Sequence, residues 1–437
     1  MTDILFGILG LAVLIGIAFL FSNNKKYIKW QQVGMGIGLQ VVFAIFVLLT
    51  PWGAMVFNAI GQFFVKIISF TNEGANFVFG ALASQNAFNQ AFPGELQQQG
   101  FGFIFAFQVL PTIIFFASLM AVLYHLGIMQ RIVQGMAWVM AKTLQVSGAE
   151  SISVAANVFI GQTEAPLVVR PYVEPMTKSE LLTLMVGGMA TIAGGVLAAY
   201  VGLLGGTDPA MQLYYAKHLL SASIMAAPAT IVISKILVPE REESKTMGEV
   251  KVVIEKTSSN VIEAAASGAA DGLKLALNVA GMLLAFIALI AMINWILQGI
   301  FTDLLGITLS GGRPITLELL LGYLLSPIAF IIGVPWHDAV QVGSLIGQKV
   351  VLNEFIAYLN LAQLIPQQVL GEKAVLISTY ALCGFANFSS IAIQIGGIGG
   401  IAPTRRSDLA KFGLRAVLGG SLATFMTATI AGVLISL

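Results

Sequence analysis

From Leu275 to Thr302 the chain runs through 28 residues without a charge. A spanning helix needs only about 20 predominantly apolar residues. Runs of suitable length recur at 4–22, 33–50, 101–124, 181–205, 219–238, 275–302 and 417–437, and the only charge inside any of them is Lys235. Charged residues make up 10% of the chain, against about 25% in an average soluble domain. The sequence therefore predicts an all-α polytopic membrane protein. A net charge of +1 leaves no basic surface for holding nucleic acid through its phosphates. The lone Cys383 excludes a disulfide framework, an iron–sulfur site and a Cys-rich zinc site. His125, His218 and His337 lie far apart and form no metal-ligand spacing. Asp3 precedes the first apolar run, and neither a basic flank nor a small-residue cleavage site accompanies it, so this run is expected to be retained as a span.

An eighth apolar stretch, 374–404, is longer than one straight span requires and is interrupted by Gly384, Asn387, Ser389, Ser390 and the glycines from Gly396 to Gly400. It is expected to be a broken span. Two further segments, 148–176 and 326–361, are too polar at their middles to cross as single helices, with Gln162-Thr163-Glu164 in one and Asn353-Glu354 in the other. Each reads as a re-entrant hairpin. Lys25, Lys26 and Lys29 follow the first span, so the positive-inside rule places that loop in the cytoplasm. With both hairpins returning to the side they enter from, 17 of the 22 basic residues fall on the cytoplasmic face, and both termini lie outside. The Phe-rich stretch 51–100 fits amphipathic helices in the outer interface, and 240–271 fits a cytoplasmic linker leading into the sixth span.

The two hairpins are followed by similar events. Gly194, in the run Ala190-Thr191-Ile192-Ala193-Gly194-Gly195, lies 30 residues beyond Glu164, and Gly384 lies 30 beyond Glu354. The charge count gives the hairpins opposite orientations, which makes the units inverted repeats, a plan on which secondary transporters build midplane sites. Residues 127–239 and 303–437 form the two repeats in this reading, with 1–126 and 240–302 as scaffold. Non-helical backbone at membrane depth is tolerated only where it is buried in protein or lines a cavity. A carboxylate there costs roughly 2.5–3.5 kcal/mol or more, so Glu164 and Glu354 are expected to be functional. Their alternative role is as structural ion pairs with Arg170 and Lys349.

The segments Asn157-Val158-Phe159-Ile160-Gly161-Gln162-Thr163-Glu164-Ala165-Pro166-Leu167, Gly347-x-Lys349-x3-Asn353-Glu354-Phe355-x-Ala357-Tyr358 and Gly384-Phe385-Ala386-Asn387-Phe388-Ser389-Ser390-Ile391 resemble the signature segments of the concentrative nucleoside transporters. The resemblance spans nearly the whole chain. It implies a bacterial inner-membrane homotrimer, in which a scaffold holds a mobile transport domain that imports nucleosides such as uridine, cytidine or adenosine. Carried over by position, Gln162 and Thr163 hydrogen-bond the nucleobase with Glu164 close by. Glu354, Asn387 and Ser390 hold the ribose hydroxyls, and Phe385 and Val196 wall the base. The resemblance also implies a sodium site made of the side chains of Asn157 and Thr191 and the carbonyls of Ile160 and Ile192. An amide at position 157 favours sodium over a proton as the coupling ion. Arg405 and Arg406 read as topology anchors and as possible contacts of lipid head groups. A proton-coupled symporter is the nearest rival; a membrane enzyme using the two glutamates and a channel are more distant ones.

Overall fold

The computed structural model describes residues 2–84, 104–206, 208–248, 258–307 and 314–436. The described residues are almost entirely helical, with no strand among them. Three long helices open the chain: α1 (Thr2–Leu20), α2 (Trp30–Leu49) and α3 (Pro51–Phe79). Then come α4 (Leu110–His125) and α5 (Ile128–Leu144), separated by the left-handed Gly127 at φ 78°. The first hairpin follows. Its first arm is α6 (Gly148–Asn157), and its return arm is two single turns, Ala165–Val168 and Arg170–Val173. The first broken helix is α7 (Lys178–Ala190) and α8 (Gly194–Gly205), and α9 (Pro209–Leu237) completes the unit.

The second half repeats this order. A long helix, α10 (Val261–Gln298), leads to the shorter α11 (Leu317–Ile331). The second hairpin pairs α12 (Ala339–Val351) with α13 (Glu354–Leu364), and α14 (Glu372–Ala381) and α15 (Phe388–Ile401) are the halves of the second broken helix. The last helix is α16 (Arg406–Ile435). The packing is reciprocal. Each hairpin's first arm lies on the first half of its own broken helix, α6 on α7 and α12 on α14, while its return arm reaches the second half of the other one, residues 165–173 on α15 and α13 on α8. Likewise α7 packs on α16 and α14 on α9. Each unit thus closes the other, which two independent domains would not do.

Burial separates a core from a periphery. The most apolar windows of α9 and α16 are 89% and 83% buried within the chain, and that of the α7–α8 pair 83%, but those of α1, α3 and α10 only 22%. The first broken helix, α9 and α16 are therefore surrounded by protein, while α1, α3 and α10 turn apolar side chains outward, as a lipid or protein environment requires.

Several boundaries differ from the sequence reading. Residues 51–79 form one continuous helix, started by Pro51 in its first turn and by Thr50 Oγ1 accepting from Gly53 N. A single buried stripe of Gly53, Phe57, Gly61, Ile68, Thr71 and Ala75 packs it inward. It is one amphipathic helix where several were expected; the remainder of that stretch, 85–100, and the start of the third span, 101–103, lie outside the described residues. The second hairpin begins at Ala339, not 326. Pro327 does not break α11, and the actual interruption comes at Gly333, whose φ of 105° only glycine adopts readily. Helix α10 starts at Val261 because Asn260 caps it by accepting from Glu263 N, so the last part of the expected linker, 261–271, is helix. Lys251, Lys256 and Arg313, used in the charge count, lie outside the described residues.

Candidate functional site

Both breaks have local causes. Helix α7 ends because Thr191 turns extended, at φ −124° and ψ 170°, and α15 begins because Asn387 caps it, its Oδ1 accepting from Ser390 N at 2.9 Å. The breaks meet. The amide of Phe385 donates to the carbonyl of Thr191 at 3.4 Å. A methyl group on Gly384 would stand 2.8 Å from the carbonyl oxygen of Met189, so the absence of a side chain at 384 permits the two backbones to cross.

The hairpin tips converge on this crossing. The second tip delivers Glu354 as the first residue of α13, with Asn353 as its cap. Glu354 is 5% exposed, and its carboxylate accepts from Tyr200 Oη at 2.8 Å and from Asn387 Nδ2 at 3.1 Å. The first tip delivers Gln162, whose Nε2 donates to Ser390 Oγ at 3.0 Å and whose Oε1 accepts from Gln394 Nε2 at 3.1 Å. Ser390 thus joins the Gln162 pair to the Asn387–Glu354 pair. Thr163 is exposed beside Gly397, and Val196 is buried in the first turn of α8. Phe385 is half-buried within the second break.

Glu164 lies apart from this cluster. Its carboxylate accepts from Gly161 N at 2.8 Å and lines a cavity of about 390 Å³ between the first hairpin, α4 and α10, together with Tyr124, Gln130, Arg170 and Asp271. The ion-pair alternative for the glutamates fails. Among the described residues neither Glu164 with Arg170 nor Glu354 with Lys349 comes within 4 Å. The deep ion pair is a different one, Lys235 with Glu150, extended by Ser179 Oγ at 2.9 Å from the ammonium.

Of the residues expected to hold a cation, Asn157 and Thr191 both meet Gly187. Asn157 ends α6, donates from Nδ2 to Ser153 O at 3.0 Å, and leaves its Oδ1 buried without a donor. An orphaned buried acceptor of this kind is rare and asks for an explanation. A methyl on Gly187 would stand 3.3 Å from Asn157 Nδ2 and 3.6 Å from Thr230 Cγ2, and the Thr230 hydroxyl is likewise buried and unpartnered. Thr191 Oγ1 donates to Gly187 O at 2.8 Å, which leaves its lone pairs free to accept. Ile160 is half-buried at the tip and Ile192 fully buried in the break. Neutral oxygens with no protein donor fit a monovalent cation.

Sequence reasoning did not find Tyr200, Gln394 or Thr230. Gln394 carried a usable signal, standing one helical turn beyond Ser390 and so on the same face. Tyr200 and Thr230 carried none, since each sits in an otherwise apolar run. Arg405 and Arg406 are held by the chain itself. Nη1 of Arg405 donates to the carbonyls of Glu174 and Met176, and Nε of Arg406 to that of Gly399.

Comparison with known proteins places this geometry. Family models described as Na+ dependent nucleoside transporter N-terminus and C-terminus match residues 9–82 and 218–432, and one described as nucleoside recognition, Gate, matches 106–207. An uncharacterized transporter of Bacillus subtilis, YutK, is 46% identical over 99% of this chain and all of its own length. The nucleoside permease NupC of Helicobacter pylori is 41% identical, over 99% of this chain and 98% of its own. The solved structure of CNTnw in an inward-facing substrate-bound state superposes with a TM-score of 0.89 at 43% identity, covering 99% of this chain and 98% of that one. With matches along nearly its whole length, this chain belongs to the Na+ dependent, concentrative nucleoside transporters.

Proposed function

We propose that the protein imports nucleosides such as uridine, cytidine or adenosine into the cell by symport with sodium. It works by alternating access, as a homotrimer of a multi-pass plasma-membrane protein with both termini outside. The observation that carries this reading is the joined cluster at the crossing of the two breaks, where Gln162, Ser390, Asn387 and Glu354 share hydrogen bonds. These groups are donors and acceptors that a nucleoside can replace one for one. Glu354 offers two carboxylate oxygens to a pair of ribose hydroxyls, in strong charge-assisted bonds. Gln162 and Thr163 present amide and hydroxyl groups to a base edge, and Phe385 and Val196 supply apolar walls. Glu164, two residues beyond Gln162 on the same tip, faces the cavity on the side of α4 and α10 and so lies close to the base without touching the cluster. Arg405 and Arg406 stand at the cytoplasmic face, beside the lipid head groups.

Sodium is carried with the nucleoside and would be held by Asn157, Thr191 and the carbonyls of Ile160 and Ile192. Because Gln162 follows Ile160 in the same tip, ordering the tip around a cation positions the amide that meets the base. A sodium ion falling through 100 mV contributes about 2.3 kcal/mol, and a tenfold gradient adds about 1.4 kcal/mol. Together these suffice for roughly several-hundred-fold accumulation of an uncharged solute. The two repeats, 127–239 and 303–437, are the moving part, and 1–126 with 240–302 the scaffold.

Uptake of labelled uridine into proteoliposomes tests this, with inward sodium, potassium and proton gradients compared and the retained label analysed. Concentration of intact uridine under sodium alone is expected. Drive by protons alone would overturn the choice of ion, and no concentrative uptake of any of the three nucleosides would overturn the substrate.

A further inference from the structure

We propose that Lys349 is a tethered cation, standing in the second repeat where the coupling sodium stands in the first. The parallel rests on the sodium site proposed at Asn157 and Thr191.

Lys349 is wholly buried, and among the described residues no carboxylate lies within 4 Å of it. Burying an ammonium in this way is costly unless its hydrogen bonds are met. Two of its N–H groups find acceptors, Ala381 O at 2.8 Å and Thr424 Oγ1 at 2.9 Å, and the face of the Phe425 ring, its centroid 5.6 Å away, adds a cation–π contact. Thr424 gives its own proton to Ser421 O at 2.9 Å, so toward Lys349 it can only accept. With this bond, the last four carbonyls of α14 are all satisfied. Ser378 O accepts from Leu382 N, Thr379 O from Tyr358 Oη, Tyr380 O from Cys383 N and Ala381 O from Lys349. A cation belongs at such a helix end, where the dipole is negative.

The first repeat builds the same corner without a donor. A shift of 190 residues carries Glu164 onto Glu354, Gly194 onto Gly384 and Thr191 onto Ala381, and places Lys349 on Phe159, two residues beyond Asn157 at the end of the same arm. In both repeats the corner is made by the end of the hairpin's first arm, the end of the first half-helix, and a hydroxyl from the long helix that follows. Asn157, Thr191 and Thr230, whose buried hydroxyl has no partner and whose methyl lies beside Gly187 with the Asn157 amide, make up one corner. Lys349, Ala381 and Thr424 make up the other. In the first, however, Gly194 N leaves the broken helix for Phe159 O, and Asn157 Oδ1 has no donor. One corner thus exposes oxygen to a mobile cation and the other fills itself. Lys349 is accordingly a positioning residue. It holds the half-helix end from which Asn387 and Ser390 follow, and each protomer has one exchangeable cation.

The test compares wild type with Lys349→Ser and Lys349→Met in proteoliposomes, reading the sodium dependence of uridine uptake, and reads the charge moved per uridine from reversal potentials of the wild type. Wild type should move one positive charge per uridine. In Lys349→Ser the vacated corner should admit a second, weaker sodium, raising the Hill coefficient for sodium from about 1 toward 2. Lys349→Met, which blocks the corner with an apolar chain, should lower uptake about tenfold or more without that rise. A purely structural lysine would reduce uptake in both variants alike and leave the sodium order unchanged, and that result overturns the proposal. Two charges per uridine in wild type also overturns it, even if neither variant folds. Uptake by the wild type that ignores sodium would instead sink the sodium site itself. In that case thermal unfolding of Lys349→Ser still decides the role of the lysine: stabilisation by sodium over choline, absent in wild type, upholds it, and no such difference overturns it.

Discussion

Gln162 and Ser390 lie 228 positions apart in the chain and 3.0 Å apart in space, amide nitrogen to hydroxyl oxygen. Their hydrogen bond ties the tip of the first hairpin to the second half of the second broken helix, and so joins the two repeats at the site. A neutral bond of this kind contributes about 0.5–1.5 kcal/mol net. Ser390→Ala should leave a folded protein with the KM for uridine raised roughly two- to tenfold. Initial rates of uptake across a concentration series give that value.

Tyr200 holds one oxygen of Glu354 and Asn387 the other. A hydrogen bond to a charged group is worth about 1.5–3 kcal/mol, so Tyr200→Phe should weaken uridine transport by roughly tenfold or more. Glu354→Gln should abolish uptake while the protein still elutes as a folded species. Full transport by Glu354→Gln would remove the ribose assignment.

Asn157 presents the buried oxygen that no protein group satisfies. Asn157→Leu should uncouple uptake from sodium, leaving an imposed sodium gradient without effect on accumulation. Uridine binding by equilibrium titration should lose its enhancement by sodium. An unchanged sodium dependence in this variant would exclude Asn157 from the ion site.

Gly188 lets the first tip settle on α7, for an added methyl would stand 2.8 Å from both Gln162 Cβ and Gln394 Nε2. Alanine favours a helix over glycine by about 1 kcal/mol, yet overpacking costs about 1–3 kcal/mol. Gly188→Ala should therefore impair uridine binding at least as much as stability. Thermal melts with and without uridine separate the two, and a variant of raised melting temperature that transports normally would show the contact to be slack.

Lys235 and Glu150 form a buried pair, with side chains 5% and 2% exposed. Removing Lys235 leaves the Glu150 charge buried and should cost about 3–5 kcal/mol; removing Glu150 leaves Lys235 with Glu240 Oε2 at 3.5 Å and should cost less, and replacing both with apolar residues can be close to neutral. Lys235→Met alone should lower the melting temperature in detergent markedly and Glu150→Leu less so, and the double variant should recover most of the loss. A double variant no better than the worse single one would contradict the coupling.

The lengths of the uncharged runs were enough to identify a helical membrane protein, because lipid offers the backbone no hydrogen bonds and only a helix satisfies it within one segment. Thr191 and Asn387 were legible as breaks for a local reason too: polar caps and glycines inside apolar runs interrupt helices wherever they fall. The boundaries of α3, α10 and α11 were less legible. Pro327 looks like a helix end and is carried inside α11, and the polar residues of 51–79 concealed a single continuous helix.

What the sequence by itself determined is thus the periodic and the local: which stretches are long enough to span, where they break, and that two units share one order of elements. The tertiary structure alone decided the partners. That Gln162 meets Ser390 and Gln394, that Tyr200 rather than Lys349 holds Glu354, and that Glu164 turns to a separate cavity follow from the return arm of each hairpin packing on the broken helix of the other repeat. Hydrogen bonds and ion pairs act over a few ångströms of space, and no spacing along the chain encodes which side chains a fold brings within that reach.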